Sequence, residues 1–331
     1  MTQSATQETR GSQAAQAAVG ASSPRGEQQA NGRRRYVVMG AGAVGCYFGG
    51  MLARAGLPVT LVGRATHVDA IRANGLRLQT TSFDEQVAID ASTDVSPVAT
   101  ADVILFCVKS TDSEATARQL LPLLKPGAVV LSLQNGVENA EIVRSVLTHT
   151  VIPAVVYVAT EMAGPGHLLH HGRGELVIGE SDVSAAIVAD FAMAGVPVQV
   201  DANVMGALWA KLIVNCAYNA MSAIAQKPYG ELVKVAGIPE LMTDVVDECL
   251  AVAQADGITV PGDPYEAVRR IAGSMAGQYS STAQDVARGK PNEIDYLNGY
   301  VVRRGGAHGV ATPVNQTLLS LVKLVEKHER T

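Results

Sequence analysis

YVVMGAGAVG, residues Tyr36–Gly45, is the stretch of this 331-residue sequence that decides its fold. Four apolar residues predict a short buried strand, and the glycines after them have the spacing G-x-G-x-x-G before an apolar helix. Gly40 permits a tight turn, Gly42 permits close approach of a pyrophosphate, and Gly45 permits close packing of helix on strand. The stretch therefore predicts a dinucleotide-binding turn, with a glycine-rich turn that binds no ligand as the alternative.

Further strands and helices alternate downstream of this turn. The sequence predicts strands over Pro58–Val62, Asp102–Val108 and Ala128–Leu133, and helices over Ser113–Leu124 and Val137–Leu147. Strands alternating with helices indicate an α/β fold, here a Rossmann-type, doubly wound parallel sheet. Strand and turn patterns then dominate residues 151–179.

From Val204 onward the pattern is almost wholly helical. We therefore expect two folded domains: a Rossmann-type nucleotide-binding domain over residues 34–200 and a mainly α-helical substrate or catalytic domain over residues 201–331. Residues 1–33 are rich in Gln, Ala, Ser, Thr and Gly and nearly free of large apolar side chains. Such a segment buries too little surface to offset its ordering entropy, so we expect a disordered tail.

The composition excludes several classes of protein. The formal net charge is -5 and no basic stripe with aromatics appears, which argues against a nucleic-acid partner. No apolar run is long enough to span a membrane, and the four cysteines form no CxxC pair. We therefore expect a cytoplasmic protein with reduced thiols and no metal site.

One predicted helix, Val204–Ala225, is apolar almost all round but carries Lys211, Asn215 and Asn219 at a step of four. This step brings the three side chains to nearly the same helix face. A helix with such a composition is normally buried, and a lysine is rarely buried without a partner. A bound small-molecule substrate explains the polar stripe; the alternative is a lysine that reaches solvent beside two structural asparagines.

Three further positions lie where strands of the predicted sheet end, which is where ligands bind in such sheets. After the second strand the chain has Arg64 where an NAD site expects Asp or Glu, and an arginine can pair with the 2′-phosphate of NADP. Lys109 and Asn135 follow the next two strands, so both are expected near the cofactor. A solvated lysine and a turn-forming Asn-Gly pair are the alternatives.

Together these motifs resemble the ketopantoate reductase family (2-dehydropantoate 2-reductase). The resemblance extends from about Arg35 to Lys327 and is carried by separated strings in a fixed order. These strings are Gly40–Gly45, Val108–Lys109, Leu133–Gly136, Lys211–Asn219, Ser280–Asp285 and Glu293–Gly299, with Ala307–Gly309 and Pro313 after them.

The resemblance implies NADPH-dependent reduction of 2-dehydropantoate to (R)-pantoate, a step toward pantothenate and coenzyme A. It implies that Lys211 is the general acid and that Glu293 supports it. The implied substrate-binding residues are Asn135, Lys211, Asn215, Asn219, Ser281 and Glu293. The implied NADP-binding residues are Gly40, Ala41, Gly42, Ala43, Val44, Gly45, Arg64, Lys109, Asn135 and Ala159.

Elementary chemistry agrees with this assignment, because reduction of a ketone creates an alkoxide that needs a proton donor and positive charge. Structural alternatives stay open for two residues: Glu293 could stabilise the N-terminus of a helix begun by Pro291, and Ser281 could be a local helix cap. Tyr229 stands where the well-studied family site carries a substrate-binding asparagine. The alternatives are therefore a reductase of another 2-oxo acid or a non-catalytic NADP-binding sensor, and a homodimer is possible.

Overall fold

The computed structural model describes residues 32–328, so the predicted disordered tail lies outside the described residues apart from its last two. The sheet of this protein has ten strands. They are β1 (Tyr36–Met39), β2 (Val59–Val62), β3 (Leu76–Gln79), β4 (Asp84–Val87), β5 (Asp90–Ser92), β6 (Val103–Phe106), β7 (Val129–Ser132), β8 (Thr150–Gly164), β9 (His167–Ile178) and β10 (Val198–Val200).

Six of the ten strands form the predicted doubly wound arrangement. Six strands in the order β5-β2-β1-β6-β7-β8 are all parallel, with β1 paired to β2 on one side and to β6 on the other. The residues of β1, β2, β6 and β7 are almost entirely buried, as the apolar runs predict. The α/β fold is therefore confirmed, and the carboxyl ends of β1, β6 and β7 meet at one edge.

The rest of the sheet differs from the purely parallel sheet that the sequence predicts. The order continues β8-β9-β3-β4, and the pairs β8–β9 and β3–β4 are antiparallel. The short strands β3, β4 and β5 were not predicted from the sequence. Polar residues such as Arg77, Asp84 and Asp90 interrupt their apolar pattern. The long hairpin β8–β9 extends the sheet toward the helical part of the chain.

The described residues form twelve α-helices. They are α1 (Ala43–Arg54), α2 (Ala65–Asn74), α3 (Ser113–Leu120), α4 (Asn139–Val146), α5 (Ser184–Met193), α6 (Val204–Ala225), α7 (Tyr229–Leu232), α8 (Ile238–Ala255), α9 (Pro264–Ser274), α10 (Ser281–Ala287), α11 (Asn298–His308) and α12 (Pro313–His328). The predicted elements are confirmed, but α3 and α4 are shorter than predicted by several residues.

Helix α6 is the centre of the helical part, as its apolar composition predicts. Its core includes the fully buried Trp209 and Tyr218, and it packs against α8, α10, α12 and the strand β8. Because α6 also touches β8, one end of the parallel sheet and one face of this helix are neighbours. The chain from Arg34 onward forms one compact unit. Within residues 32–328, no helix has the length and apolar character that a membrane span requires.

Candidate active site

The glycine turn joins β1 to α1 in the conformation that its motif predicts. Gly40 has φ +107°, and a Cβ on it would lie 2.7 Å from the carbonyl oxygen of Cys107. A Cβ on Gly45 would lie 2.2 Å from the carbonyl oxygen of Gly40, so α1 could not pack this closely on β1 with any side chain there.

Gly42 differs from these two glycines because its position has no steric requirement within the protein. It is the N-cap residue of α1, its backbone is extended, and a Cβ on it would meet nothing within 4 Å. No side chain caps the helix, so its first backbone N–H groups are available to an anion. The open space and the uncapped helix N-terminus fit the pyrophosphate of a dinucleotide.

Lys211 reaches from α6 to the edge of the sheet where β7 ends. Its Nζ donates hydrogen bonds to Oδ1 of Asn135 at 2.9 Å and to the backbone oxygen of Val156 at 2.6 Å. These partners lie 76 and 55 residues away along the chain. The fold therefore brings together two predicted site residues at the carboxyl edge of the sheet, the edge that also bears the glycine turn; the space between α6 and this edge is called the crevice below.

The environment of Lys211 lowers the pKa of its amine. Burial lowers the pKa of Lys211 to about 8; the nearby charge of Glu293 acts to raise it, and the charge of Arg173 acts to lower it. The Arg173 guanidinium lies 4.4 Å from the centre of the Tyr157 ring, and Lys211 Nζ lies 6.0 Å from the same centre. A lysine with a pKa close to the operating pH suits general acid catalysis.

Glu293 is buried at the same crevice, but it does not have the structural role considered as an alternative. Pro291 begins no helix, and Glu293 precedes a single 3-10 turn, Ile294–Tyr296, that its side chain does not cap. Instead its Oε1 accepts two hydrogen bonds from Ser110, one from the backbone N–H at 2.9 Å and one from Oγ at 2.6 Å. The carboxylate is thus fixed by the loop after β6, on the other side of the crevice.

The sequence analysis missed two buried residues that complete this arrangement. Ser110 and Asn139 are 1% and 2% exposed, and Nδ2 of Asn139 donates to Oγ of Ser110 at 3.0 Å and to the backbone oxygen of Asn135 at 2.6 Å. The sequence gives only a weak signal for these two residues. Ser110 directly follows the predicted site residue Lys109, and Asn139 lies four positions after Asn135. Only the folded chain identifies them.

Lys109 and Arg64 are the two predicted cofactor-binding residues with a positive charge. Burial acts to lower the pKa of Lys109, but the charges of Glu293 and Asp285 raise it overall. Lys109 is exposed, and its Nζ pairs with Asp285 Oδ2 at 2.7 Å, so a contact with the cofactor stays a prediction and the solvated-lysine alternative stays open. Arg64 is exposed at the N-terminus of α2.

A basic region at the start of α2 is defined by Arg64, His67 and Lys290. Burial first, and then the positive charges of Arg64 and Lys290, lower the pKa of His67. Arg64 and Lys290, from two distant parts of the chain, therefore both lie near His67.

The remaining predicted site residues are placed as follows. Asn219 is 3% exposed on α6, whereas Asn215 is half-buried one turn earlier. Ser281 is exposed at the start of α10. The N-cap of this helix is Ser280, whose Oγ accepts a hydrogen bond from the N–H of Ala283 at 2.9 Å. The alternative interpretation of Ser281 as the helix cap is therefore wrong. Ala159 lies in β8 opposite Gly172 of β9. Their contacts with substrate or cofactor stay predictions.

Comparison with known protein families covers nearly all of the described chain. The family described as "Ketopantoate reductase PanE/ApbA" matches residues 36–182, and the one described as "Ketopantoate reductase PanE/ApbA C terminal" matches residues 203–326. A relative from Halobacterium salinarum named 2-dehydropantoate 2-reductase is 36% identical over 88% of this chain and 99% of its own. One of the same name from Vibrio cholerae is 34% identical over 88% and 97%.

Solved structures agree with the sequence relatives. The crystal structure of a PanE/ApbA family ketopantoate reductase from Ralstonia eutropha is 59% identical, with a TM-score of 0.88 over 90% of this chain and 100% of that one. A D-mandelate dehydrogenase solved with NADH and anilino(oxo)acetate shares the fold at 24% identity and a TM-score of 0.82, covering 89% of this chain and 100% of its own. The glycine turn, the half-buried lysine and the matches over both parts of the chain lead to one conclusion: this protein is an oxidoreductase that belongs to the ketopantoate reductase family.

Proposed function

We propose that this protein reduces 2-dehydropantoate to (R)-pantoate with NADPH as the cofactor and Lys211 as the general acid. The observation that carries the proposal is the Lys211 ammonium, held at 2.9 Å from Asn135 at the sheet edge that also bears the glycine turn. The names of the curated relatives support the substrate. A sensor that only bound the dinucleotide would need the turn but no buried proton donor.

The chemistry follows from the residues at the crevice. A bound nicotinamide would supply the hydride for the ketone carbon. Lys211 would give its proton to the developing alkoxide, and its positive charge would stabilise that oxygen before the proton moves. Glu293 would keep a negative charge near this ammonium, which favours the protonated amine that the reduction needs.

The amides Asn135, Asn215 and Asn219 are proposed to hold the polar groups of the substrate. Amide side chains can donate to a carboxylate and accept from a hydroxyl without adding charge to a half-buried site. Ser281 is proposed to add a hydroxyl from α10. The glycine turn would bind the pyrophosphate, with Lys109 and Ala159 beside the cofactor.

NADP rather than NAD is proposed because of the basic region around Arg64. No carboxylate follows β2 to accept from a ribose 2′-hydroxyl, and Arg64 and Lys290 both lie near His67 there. Guanidinium and ammonium groups bind a phosphate through charge-assisted hydrogen bonds.

Tyr229 favours a second candidate function, the reduction of a different 2-oxo acid. Its ring packs on Tyr218 with 4.7 Å between ring centres, and the Tyr218 hydroxyl is fixed by a hydrogen bond to the backbone of Val268. A rigid aromatic pair at a position where relatives bind substrate with an amide would prefer a bulkier apolar side chain.

One assay separates these functions: NADPH oxidation followed by absorbance with 2-dehydropantoate and a panel of branched and aromatic 2-oxo acids. The proposal expects the highest kcat/KM with 2-dehydropantoate, and a higher value with an aromatic acid would select the second candidate. Tight NADPH binding with no turnover of any acid would instead indicate a sensor. Location in the cytoplasm and assembly as a homodimer stay predictions.

A further inference from the structure

Glu293 and Lys211 have opposite charges but separate hydrogen-bond partners. Its Oε1 is held by the backbone N–H and the hydroxyl of Ser110, while the Lys211 ammonium donates to Asn135 and Val156. In the part of the chain that the structure describes, Lys211 and Glu293 form no ion pair, although each belongs to the same crevice. Something in the fold keeps two opposite charges apart.

A continuous chain of hydrogen bonds supplies the restraint. Ser110 Oγ donates to Glu293 and accepts from Asn139 Nδ2, and Asn139 Nδ2 also donates to the backbone of Asn135, whose side chain accepts from Lys211. The hydroxyl of Ser113 in turn fixes Asn139 by donating to its Oδ1 at 3.0 Å. These linking groups come from the segments that follow β6 and β7, and Ser113 and Asn139 are the first residues of α3 and α4.

We propose that Ser110 is a positioning residue that holds the Glu293 carboxylate off the Lys211 ammonium, so that this ammonium is free to protonate the substrate. A direct ion pair would occupy a donor of the ammonium and would disfavour loss of its proton, which is the event that catalysis requires. The position of the carboxylate therefore balances two needs: it must be near enough to favour a protonated lysine and far enough to leave it reactive.

The other charges near the two groups do not replace Ser110 in this role. The positive charge of Arg173, which lies over the Tyr157 ring, repels the ammonium, and the charge of Lys109 is already paired with Asp285. The titratable groups facing Lys211 and Glu293 are thus Arg173, Tyr157, Lys109, Asp285 and Tyr296.

The test is Ser110→Ala, which removes the hydroxyl and keeps the backbone N–H. We expect Glu293 to move onto Lys211, so the pKa of Lys211 rises by about one unit, within the range for an opposite charge at contact distance. The kcat for reduction at pH 7 falls about tenfold, as expected for one lost hydrogen bond to a charged group, while KM for NADPH stays within about twofold. The alkaline limb of the pH–rate profile moves upward with the pKa.

Two further variants distinguish positioning from simple loosening of the loop. Ser113→Ala removes a buried hydroxyl from the same network that does not touch Glu293, and it should lower Tm comparably without moving the alkaline limb. Ser110→Thr restores an oxygen at the same place and should return the limb toward wild type. If Ser110→Ala does not fold, Ser110→Cys, whose thiol is a weak donor of similar size, should give the same upward shift with smaller amplitude.

The pKa of Lys211 is read directly in the unliganded protein by NMR titration of ε-13C-lysine, with the Lys211 signal assigned from Lys211→Arg. This readout is independent of the kinetic one, which rests on the proposed function, so failure to reduce any 2-oxo acid would leave the titration intact. An unchanged or lowered pKa in Ser110→Ala would overturn the proposal. So would an equal shift in Ser113→Ala.

Discussion

The glycine turn and the Lys211–Glu293 crevice meet the same proposed ligands but are specified in opposite ways. The turn is made by consecutive residues: Gly40 has a positive φ, Gly45 packs against the carbonyl oxygen of Gly40, and Gly42 leaves open space that a pyrophosphate could fill. The crevice joins Lys211 to Asn135 across 76 residues and Glu293 to Ser110 across 183. The first region depends on local geometry, whereas the second depends on the packing of a whole helix against a sheet.

This contrast has an energetic meaning. Backbone groups at a helix N-terminus bind an anion without any side chain changing its ionisation. The crevice instead buries an amine, which shifts its pKa, and then needs polar partners that offset the loss of water. We therefore expect changes in the turn to alter cofactor affinity or stability, and changes in the crevice to alter the rate and its pH dependence.

The largest expected effect tests the crevice side of this comparison. Lys211→Ala removes the proposed proton donor, so kcat should fall by roughly 10²–10⁴-fold, the usual contribution of general acid catalysis. NADPH affinity, measured by fluorescence titration, should change little because the turn is intact. Lys227→Ala, at an exposed lysine just after α6, is the control. A kcat within a few fold of wild type would remove Lys211 from this role.

The next effect concerns the basic region beside the turn. Arg64→Asp replaces a proposed phosphate partner with a carboxylate that can accept from a ribose hydroxyl. The ratio of kcat/KM for NADPH to that for NADH should fall by about tenfold to a hundredfold, since one or two charge-assisted hydrogen bonds are lost. Arg72→Asp, on the same helix, is a matched charge change whose guanidinium instead bonds the backbone of Ala91. An unchanged ratio in Arg64→Asp contradicts the NADP assignment.

The pH dependence of the rate provides the third test. Reduction needs the protonated form of Lys211, and burial lowers the pKa of this amine to about 8. The kcat/KM for reduction should therefore be level below that value and fall about tenfold per pH unit above it. A profile that stays level to the ordinary pKa of lysine, about 10.4, would show that the amine is not desolvated in solution.

The smallest effects separate two glycines of one motif. Gly42→Ala should leave Tm unchanged, because nothing lies within 4 Å of its Cβ position, yet it should weaken NADPH binding about tenfold by obstructing the pyrophosphate. Gly45→Ala should instead lower the free energy of unfolding by about 1–3 kcal/mol, the cost of overpacking. Thermal unfolding and NADPH titration of both variants check this. Equal effects on both measurements would mean that the two glycines do not divide these tasks.

The sequence predicted the parallel half of the sheet because buried strands there are continuous apolar runs. It did not predict β3–β5, whose strands contain exposed polar residues such as Arg77 and Asp84, which form a salt bridge. It also placed Glu293 on a helix as an alternative, since Pro291 suits a first turn. The competing interaction was tertiary: the Glu293 carboxylate is satisfied by Ser110 of another element, so no helix is needed to hold it.

The sequence by itself determined the glycine turn, the helix Val204–Ala225 and its three polar residues, and the family, because each depends on spacing within a short segment. Only the tertiary structure decided which partner each polar group has. It connected Lys211 with Asn135, fixed Glu293 on Ser110, and added Asn139 between them. The physical reason is that a buried charged group needs hydrogen-bond partners, and these are supplied by whichever residues pack against it. Which residues pack together cannot be predicted from the local sequence pattern.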